Sequence, residues 1–387
     1  MSKPLPDEVR RAIELRLQIA KSSTSKLTAI SQRVCSDDRV RGTLLYHGAH
    51  TGRWSGSGVQ LHNLPSRSLA VKHTALEGVL EAYALGGVDF LRVVYDDPMA
   101  VVSALIRPLL IAAPGKTLVC ADYSSIEGRV LAWLAGEDWV VDSYKKGLDP
   151  YIVAALTIFG CSYDEVTPNQ RQIGKVAELA CGYQGGKNAY LRFAKDYGMS
   201  FEPEDAQKIV DDWREGRPQI RAYWYNIGEC FMNAIRQQGK VFKYRGIQFR
   251  KTKRGYLQIK LPSGRWLWYP KARIEQRVPV WGGAKRDCAT YFGKDDKGKW
   301  CQLSTYGGKL TENIVQAVAR DLLSEAKLRC EVEGLSMVLS VHDEIVLEEA
   351  IRTANLQQLI DVMCDSRDWA DGLPVEADGW IGKRYRK

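Results

Sequence analysis

Two short apolar runs, far apart in the chain, each deliver an aspartate at an end. Thr117-Leu-Val-Cys-Ala-Asp122 closes on one acid, and Ser-Met-Val-Leu-Ser-Val341 is followed by His342-Asp343 and a second run, Glu-Ile-Val-Leu-Glu348. Runs of this length and apolarity read as buried strands, and the second pair as a hairpin with Asp343 at its tip. A single Asp at a turn is usually a solvated residue. Two acids at strand ends in apolar surroundings would repel each other and raise one pKa, unless a cation sits between them. Mg²⁺ suits such a place, because it takes one or two carboxylates plus substrate phosphates. Two ions about 3.5–4 Å apart can hold the attacking and leaving oxygens of an in-line displacement. The spacing leaves open whether the two strands are neighbours.

A second pattern is Thr-Pro-Asn-Gln-Arg-Gln-Ile-Gly-Lys-Val-Ala-Glu-Leu-Ala-Cys-Gly-Tyr-Gln-Gly-Gly over 167–186. Thr167 can cap a helix, Pro168 suits its first turn, and Gln170 completes a capping box. Gly185-Gly186 is expected to end it. Arg171, Lys175, Leu179 and Tyr183 recur every four residues, which places them on one helical face. Two cations near the N-terminal end, with an aromatic at the far end, can grip a triphosphate and stack on a base. The alternative is a solvated basic stripe beside packing residues.

The remaining chain is mixed. Glu8 to about Ala20 reads as an amphipathic helix through Val9, Ile13, Leu17 and Ala20, and Arg41–His47 as a strand. The Gly- and Ser-rich segment 51–66 is a loop, residues 74–110 and 138–240 are mostly helical, and residues 310–333 form a helix. Residues 241–282 alternate aromatic and basic side chains around a Pro262-Ser-Gly264 turn, a β pattern. Lys251, Lys253, Arg254 and Lys260 there are candidates for phosphate contact. A net charge of +9 fits a polyanionic partner. Nine cysteines with no Cys-x-x-Cys pair argue against a disulfide framework or a zinc knuckle. No signal core or run of eighteen apolar residues occurs, so a soluble, intracellular protein is expected.

Asp-Tyr-Ser-Ser-Ile-Glu-Gly-Arg at 122–129 resembles the first carboxylate motif of family-A DNA polymerases, the DNA polymerase I group. Arg171–Tyr183 resembles their fingers helix, and Val-His-Asp-Glu-Ile-Val-Leu-Glu at 341–348 their second carboxylate motif. Thr51–Pro65 and Lys309–Leu323 look most like the bacteriophage branch, which implies the cytoplasm of a bacterial or phage-infected host cell. Three motifs in order make the resemblance specific. It implies an α+β right-hand fold. A thumb remnant would occupy 1–40, palm 41–137 and 241–387, and helical fingers 138–240. Asp122 and Asp343 would bind two Mg²⁺ ions, with the Tyr123 carbonyl as a further ligand. Arg171 and Lys175 would hold the incoming triphosphate, Lys175 also protonating pyrophosphate. Tyr183 would guard the template-base position, His342 would lie near the phosphates or primer end, and Glu344 is a third acid. Glu127 would exclude a 2′-hydroxyl, which also argues against a single-subunit RNA polymerase; its competing role is a Ser124-x-x-Glu127 capping box. Arg53, Gln60, Asn63 and Gln316 would test the minor groove, where acceptors recur in every correct pair.

The partners implied are a DNA primer-template and deoxynucleoside triphosphates. Leu179 departs from the Phe or Tyr common near the sugar 3′ carbon. Gln184 replaces a glycine frequent after the tyrosine, and residues 66–106 are longer than the matching spacer. The family's exonuclease-like domain and most of its thumb have no counterpart before Glu8. The chain is therefore expected to be a fragment, a split product whose protein partner supplies the rest, or a short polymerase without proofreading, of low processivity and steep salt dependence. The rival readings are a non-catalytic DNA-binding subunit and a two-metal nuclease.

Overall fold

The structure is a computed structural model, and it describes residues 6–19, 22–64, 76–95, 101, 103, 105–279, 282–295, 297–365 and 368–386. The chain divides into two compact units. The first comprises Met1–Asp122, Lys327–Asp361 and Asp378–Lys387; the second comprises Tyr123–Ala326 and Val362–Ala377.

The first unit is organised by a four-stranded antiparallel sheet in the order Met337–Val341, Glu344–Ala350, Lys116–Tyr123, Ala377–Gly382. The two acid-bearing strands are thus direct neighbours, paired from Asp122↔Glu344 to Lys116↔Ala350. Leu118 to Ala121 are all buried, so this strand has no solvent face and reads as a continuous apolar run. Leu118, Cys120, Val341 and Val346 pack with Val59, Leu61, Ile106 and Tyr385 in one core cluster. Each buried side chain of this size contributes roughly 1.5–3 kcal/mol, and together they fix the strand register that sets where the acids emerge. A helix at Asp7–Ile19 matches expectation; Ala20 and the side chain of Leu17 lie outside the described residues. The polar stretch after it forms a second helix, Ser22–Ser31.

The expected strand at 41–47 shrinks to Leu44–Leu45, paired with Ser55–Gly56. His47 has φ 52° and Gly42 φ 68°, left-handed conformations that end an extended run on both sides. Of the helical expectation for 74–110, Leu76–Val94 is a helix broken at Gly87, whose φ is 63°. Residues 65–75 and 96–100, including much of the long spacer, lie outside the described residues.

The second unit carries seven consecutive helices between Ile126 and Arg236. Four of them begin with Pro150, Pro168, Pro203 and Pro218 in the first turn, where the missing N–H costs nothing. A four-stranded antiparallel sheet follows, Val241–Tyr244, Ile247–Lys251, Leu257–Lys260 and Trp266–Tyr269. A three-stranded one comes next, Arg273–Arg277, Arg286–Lys294 and Trp300–Thr305. The β region therefore runs past 282 to 305, with a hairpin that sequence patterning missed. The helix Gly307–Val332 matches its expectation. Among the described residues no helix is long and apolar enough to cross a membrane.

Candidate active site

The acid-bearing hairpin turns on two residues, His342 and Asp343, between Val341↔Glu344. His342 has φ 55°, the positive value that a two-residue hairpin demands at its first position. Its ring stands edge-on to His62, centroids 4.8 Å apart, with Nε2 3.2 Å from the His62 carbonyl. His62 lies in a 3₁₀ turn, Leu61–Asn63, entered through Gln60 at φ 51°. The same unit thus holds Gln60 and Asn63 on either side of the residue that packs against the hairpin tip.

Asp343 Oδ1 is 3.6 Å from Arg53 Nη2, with both side chains about one-fifth exposed (20% and 21%). Asp122 is half-buried at the end of its strand, beside Glu344. Glu344 is 2% exposed, and its Oε1 accepts the Tyr385 hydroxyl proton at 2.7 Å. Arg107 donates to the Tyr385 oxygen at 3.2 Å and to the Leu64 carbonyl at 2.9 Å. Burial pushes the Tyr385 hydroxyl pKa upward, and the neighbouring Glu344 charge adds to it. Cys120 is raised for the same two reasons, in the same order. Glu344 is therefore engaged from the core side, whereas Asp122 and Asp343 sit at neighbouring strand ends. Among the described residues no group of three or more His, Cys, Asp or Glu is placed to hold a metal by itself. Two carboxylates at neighbouring strand ends nevertheless suit a hard divalent ion that completes its shell with water and substrate oxygens.

In the second unit, the helix Pro168–Cys181 starts with the expected box. Gln170 N–H donates to Thr167 Oγ1 at 3.3 Å, and Thr167 N–H donates to Gln170 Oε1 at 2.9 Å. Its inner face buries Ile173, Val176, Ala177 and Ala180. Gly174 allows the helix Pro150–Phe159 to approach, since a Cβ there would lie 2.2 Å from the Tyr151 carbonyl oxygen. The outer face carries Arg171, Lys175 and Leu179, the last 42% exposed. Arg171 Nε donates to Asp149 Oδ2 at 2.8 Å, while Asp149 Oδ1 caps the helix Pro150–Phe159 by accepting from Tyr151 N–H at 2.8 Å. Lys175 Nζ lies over two rings, 5.4 Å from the Tyr151 centroid and 4.9 Å from that of Tyr197. Neither Asp149 nor these rings was legible in the four-residue spacing, because they come from other helices.

Two expectations need correction. The helix ends at Cys181, with Gly182 as its cap, not at Gly185-Gly186; Gly186 instead precedes the next helix. Tyr183 therefore follows the helix rather than continuing its face. The physical reason is that other groups take over the backbone here. Gln184 N–H bonds the Cys181 carbonyl at 3.0 Å, the Trp224 indole N–H donates to the Gly182 carbonyl at 2.9 Å, and Arg214 donates to the Gly185 carbonyl at 3.0 Å. Second, the Ser124-x-x-Glu127 box does not form. The helix Ile126–Ala135 is entered through Ser125 in a left-handed conformation, with no side-chain cap. Glu127 Oε2 instead accepts the Tyr183 hydroxyl proton at 2.7 Å. Tyr123 is buried, its hydroxyl donating to the Met363 carbonyl at 2.9 Å. Gln316 is half-buried, with Nε2 3.5 Å from Glu312 Oε1 one turn earlier on its own helix.

Comparison with known proteins now bears on these two sets of residues. The sequence pattern described as DNA polymerase family A matches residues 4–249. The chain belongs to DNA polymerase family A. It is 36% identical over 386 residues to the DNA polymerase of Bacillus phage SP02, covering 98% of this chain and 58% of that protein. It is 33% identical over 288 residues to DNA polymerase I of Pseudomonas aeruginosa, covering 72% of this chain and 26% of that protein. The chain thus spans little more than half the length of the phage relative and about a quarter of the bacterial one. In fold it is similar to the POL domain of Pol1 from M. smegmatis, solved in complex with DNA primer-template and dNTP. That likeness has a TM-score of 0.59 at 19% identity over 95% of this chain and 52% of that one. The right-hand polymerase fold expected from the motifs is therefore the fold of this family A chain.

Proposed function

We propose that this chain carries out template-directed DNA synthesis, adding deoxynucleoside triphosphates to a primer 3′-hydroxyl. The observation that carries the reading is the pairing of Asp122 with Glu344, which brings Asp122 and the hairpin acid Asp343 to neighbouring strand ends. In this reading residues 41–137 and 241–387 are palm, 138–240 fingers, and 1–40 a thumb remnant. Asp122 and Asp343 would hold two Mg²⁺ ions, with the Tyr123 carbonyl contributing. When bound, such ions would lower the pKa of the attacking hydroxyl and neutralise charge on the leaving group.

The other roles belong to the protein's own side chains. Arg171 and Lys175 bind the triphosphate, and Lys175 donates a proton to the departing pyrophosphate. Glu127, held by Tyr183, leaves no space for a 2′-hydroxyl. Leu179 packs toward the sugar and Tyr183 orders the template base. His342 lies near the phosphates or primer end. Glu344, taken up by Tyr385, acts by holding the strand register rather than as a ligand. Arg53, Gln60, Asn63 and Gln316 donate to the minor groove of the nascent pair. Arg53 also offsets the Asp343 charge in the absence of metal. The whole assignment is tested by primer extension with Mg²⁺. Asp122→Ala and Asp343→Ala should each lose about a thousandfold in single-nucleotide incorporation, the several kcal/mol that metal-assisted phosphoryl transfer supplies. Retention of activity within a few fold in either variant refutes it.

A further inference from the structure

The positive charge of this protein is not spread evenly. Residues 241–305 hold sixteen Lys and Arg against four Asp and Glu, a balance of +12. The whole chain is +9, so everything outside this β region sums to −3. Within 241–269, the four-stranded sheet, there are eight cations and no acid at all.

The strand register sorts these residues onto two faces. Ile247, Phe249, Leu257, Ile259, Leu267 and Tyr269 point inward and are all buried. The opposite face is made of two rungs. One runs Lys243, Gln248, Lys260, Trp266; the other runs Val241, Arg250, Gln258, Trp268. The Arg250 guanidinium lies 4.2 Å over the Trp266 ring while its Nε donates to Gln258 Oε1 at 2.7 Å. Trp268 is 48% exposed, with the half-open Tyr256 ring edge-on to it at 5.9 Å. Of the eight cations only Arg265 meets a carboxylate among the described residues, Asp321 at 2.6 Å, and it does not lie on this face.

We propose that this outer sheet face is a binding surface for single-stranded DNA, beyond the primer-template contacts of the polymerase reading and independent of it. A row of cations without acids fits a phosphate backbone. Exposed flat rings fit unpaired bases, whose faces a duplex hides. The half-buried amide of Gln248 adds a donor and an acceptor that base edges can use, while the buried Gln258 holds Arg250 in place. A stripe of cations alone would serve any polyanion; the tryptophans select the single strand.

The test uses the full chain, saturated with an unlabelled blunt hairpin duplex so that duplex contacts are occupied. A fluorescein-labelled oligo-dT of about 12 nucleotides, within the usual site size, is then titrated by anisotropy. Trp268→Ala should weaken its binding about tenfold, within the range for one stacked base. The variant Lys243→Ala is a change at an exposed position that spares the core. It should reduce the slope of log K against log salt by about 0.7, the value for one phosphate contact on a single strand. Both should leave single-nucleotide addition on a template with a one-base overhang unchanged. Unaltered oligo-dT affinity and salt slope in both variants overturns the proposal, as does an equal loss of affinity for blunt duplex. Asp122→Ala separates the two readings, since it should abolish incorporation while leaving oligo-dT binding intact.

Discussion

Tyr183 donates its hydroxyl proton to Glu127 across 2.7 Å, joining the residue after the cation-bearing helix to the first turn of the helix Ile126–Ala135. The bond fixes a half-buried carboxylate that a capping box would otherwise have used. If Glu127 excludes the 2′-hydroxyl, its removal should admit ribonucleotides. Glu127→Ala should raise kcat/KM for a ribonucleoside triphosphate relative to its deoxy counterpart about 10–100-fold, the scale of one unsatisfied polar contact of about 1–3 kcal/mol. Tyr183→Phe, which removes this one bond and keeps the carboxylate, should show a smaller rise. Steady-state kinetics with paired nucleotides decides it; an unchanged ratio in Glu127→Ala removes the gate.

Gln184 sits at φ 66°, where glycine is at ease and a side chain costs roughly 1 kcal/mol. Its Oε1 accepts the Gly308 N–H at 2.9 Å, at the start of the helix Gly307–Val332. That bond offsets the strain by about 1 kcal/mol. Gln184→Gly should therefore change stability by less than about 1 kcal/mol, losing strain and bond together. Gln184→Ala keeps the strain and loses the bond, so it should cost about 1 kcal/mol. Gly308→Ala should be worse, about 1–3 kcal/mol, because its Cβ would fall 2.4 Å from the Tyr183 carbonyl oxygen. Urea denaturation of the three variants gives the ranking, and Gln184→Ala as stable as Gln184→Gly contradicts it.

A buried carboxylate paired with a half-exposed arginine in the first unit predicts an acid transition. Glu348 Oε2 meets Arg39 Nη2 at 2.6 Å, and its Oε1 accepts the Ala113 N–H at 3.0 Å. Burial pushes this carboxyl upward, but Arg39, the Ala113 N–H and Lys116 together hold it below its ordinary value. A depressed carboxylate contributes stability at pH values above its unfolded pKa, about 4.3. That contribution is lost as pH falls through the lower folded value. Glu348→Gln should thus destabilise at pH 7 and differ little from the parent near pH 3. Denaturation midpoints at the two pH values test this, and an equal deficit at both would place the effect in packing instead.

The division between legible and illegible features has a physical basis. Continuous apolar runs and proline-capped helix starts are local, and so Lys116–Tyr123, the acid hairpin and the helix Pro168–Cys181 could be read from spacing. Their pairing could not, because Asp122↔Glu344 is a contact between distant segments. The partners that set the chemistry were equally hidden. Tyr385 on Glu344, Asp149 on Arg171 and Trp224 on Gly182 come from elements whose sequences carry no mark of the contact. The helix end was misplaced because Gly185-Gly186 is a strong local stop, while side chains of a later helix take the backbone away four residues sooner.

Metal dependence should be confined to chemistry. With no cage of three or more ligands among the described residues, bound Mg²⁺ has few protein bonds to contribute to folding. A ligand stabilises only through its affinity for the native state. Chelation by EDTA should therefore abolish nucleotide incorporation while leaving the thermal midpoint within about 1–2 °C, the shift expected for a few tenths of a kcal/mol in a domain of this size. Calorimetry with and without EDTA reads this directly; a large fall in midpoint would reveal a structural ion.

The Arg171–Asp149 pair couples a phosphate-binding cation to the start of a neighbouring helix. Asp149 uses Oδ1 as the cap of the helix Pro150–Phe159 and Oδ2 as the acceptor for Arg171. Asp149→Asn retains a capping oxygen but loses the charge that draws Arg171 toward it. Asn caps about as well as Asp, so stability should change by less than about 1 kcal/mol. Arg171 would then be released from its partner and held chiefly by the Tyr151 ring, 5.2 Å from its guanidinium carbon. The triphosphate no longer has to displace an ion pair, and KM for the incoming nucleotide should fall by a few fold, the scale of a partly exposed pair worth about 0.2–1 kcal/mol. Arg171→Ala, by contrast, should raise KM at least tenfold through loss of a charge-assisted contact of about 1.5–3 kcal/mol. Kinetics of both variants on one primer-template separate the roles. If Asp149→Asn raises KM as Arg171→Ala does, Asp149 positions Arg171 for the substrate instead of competing for it.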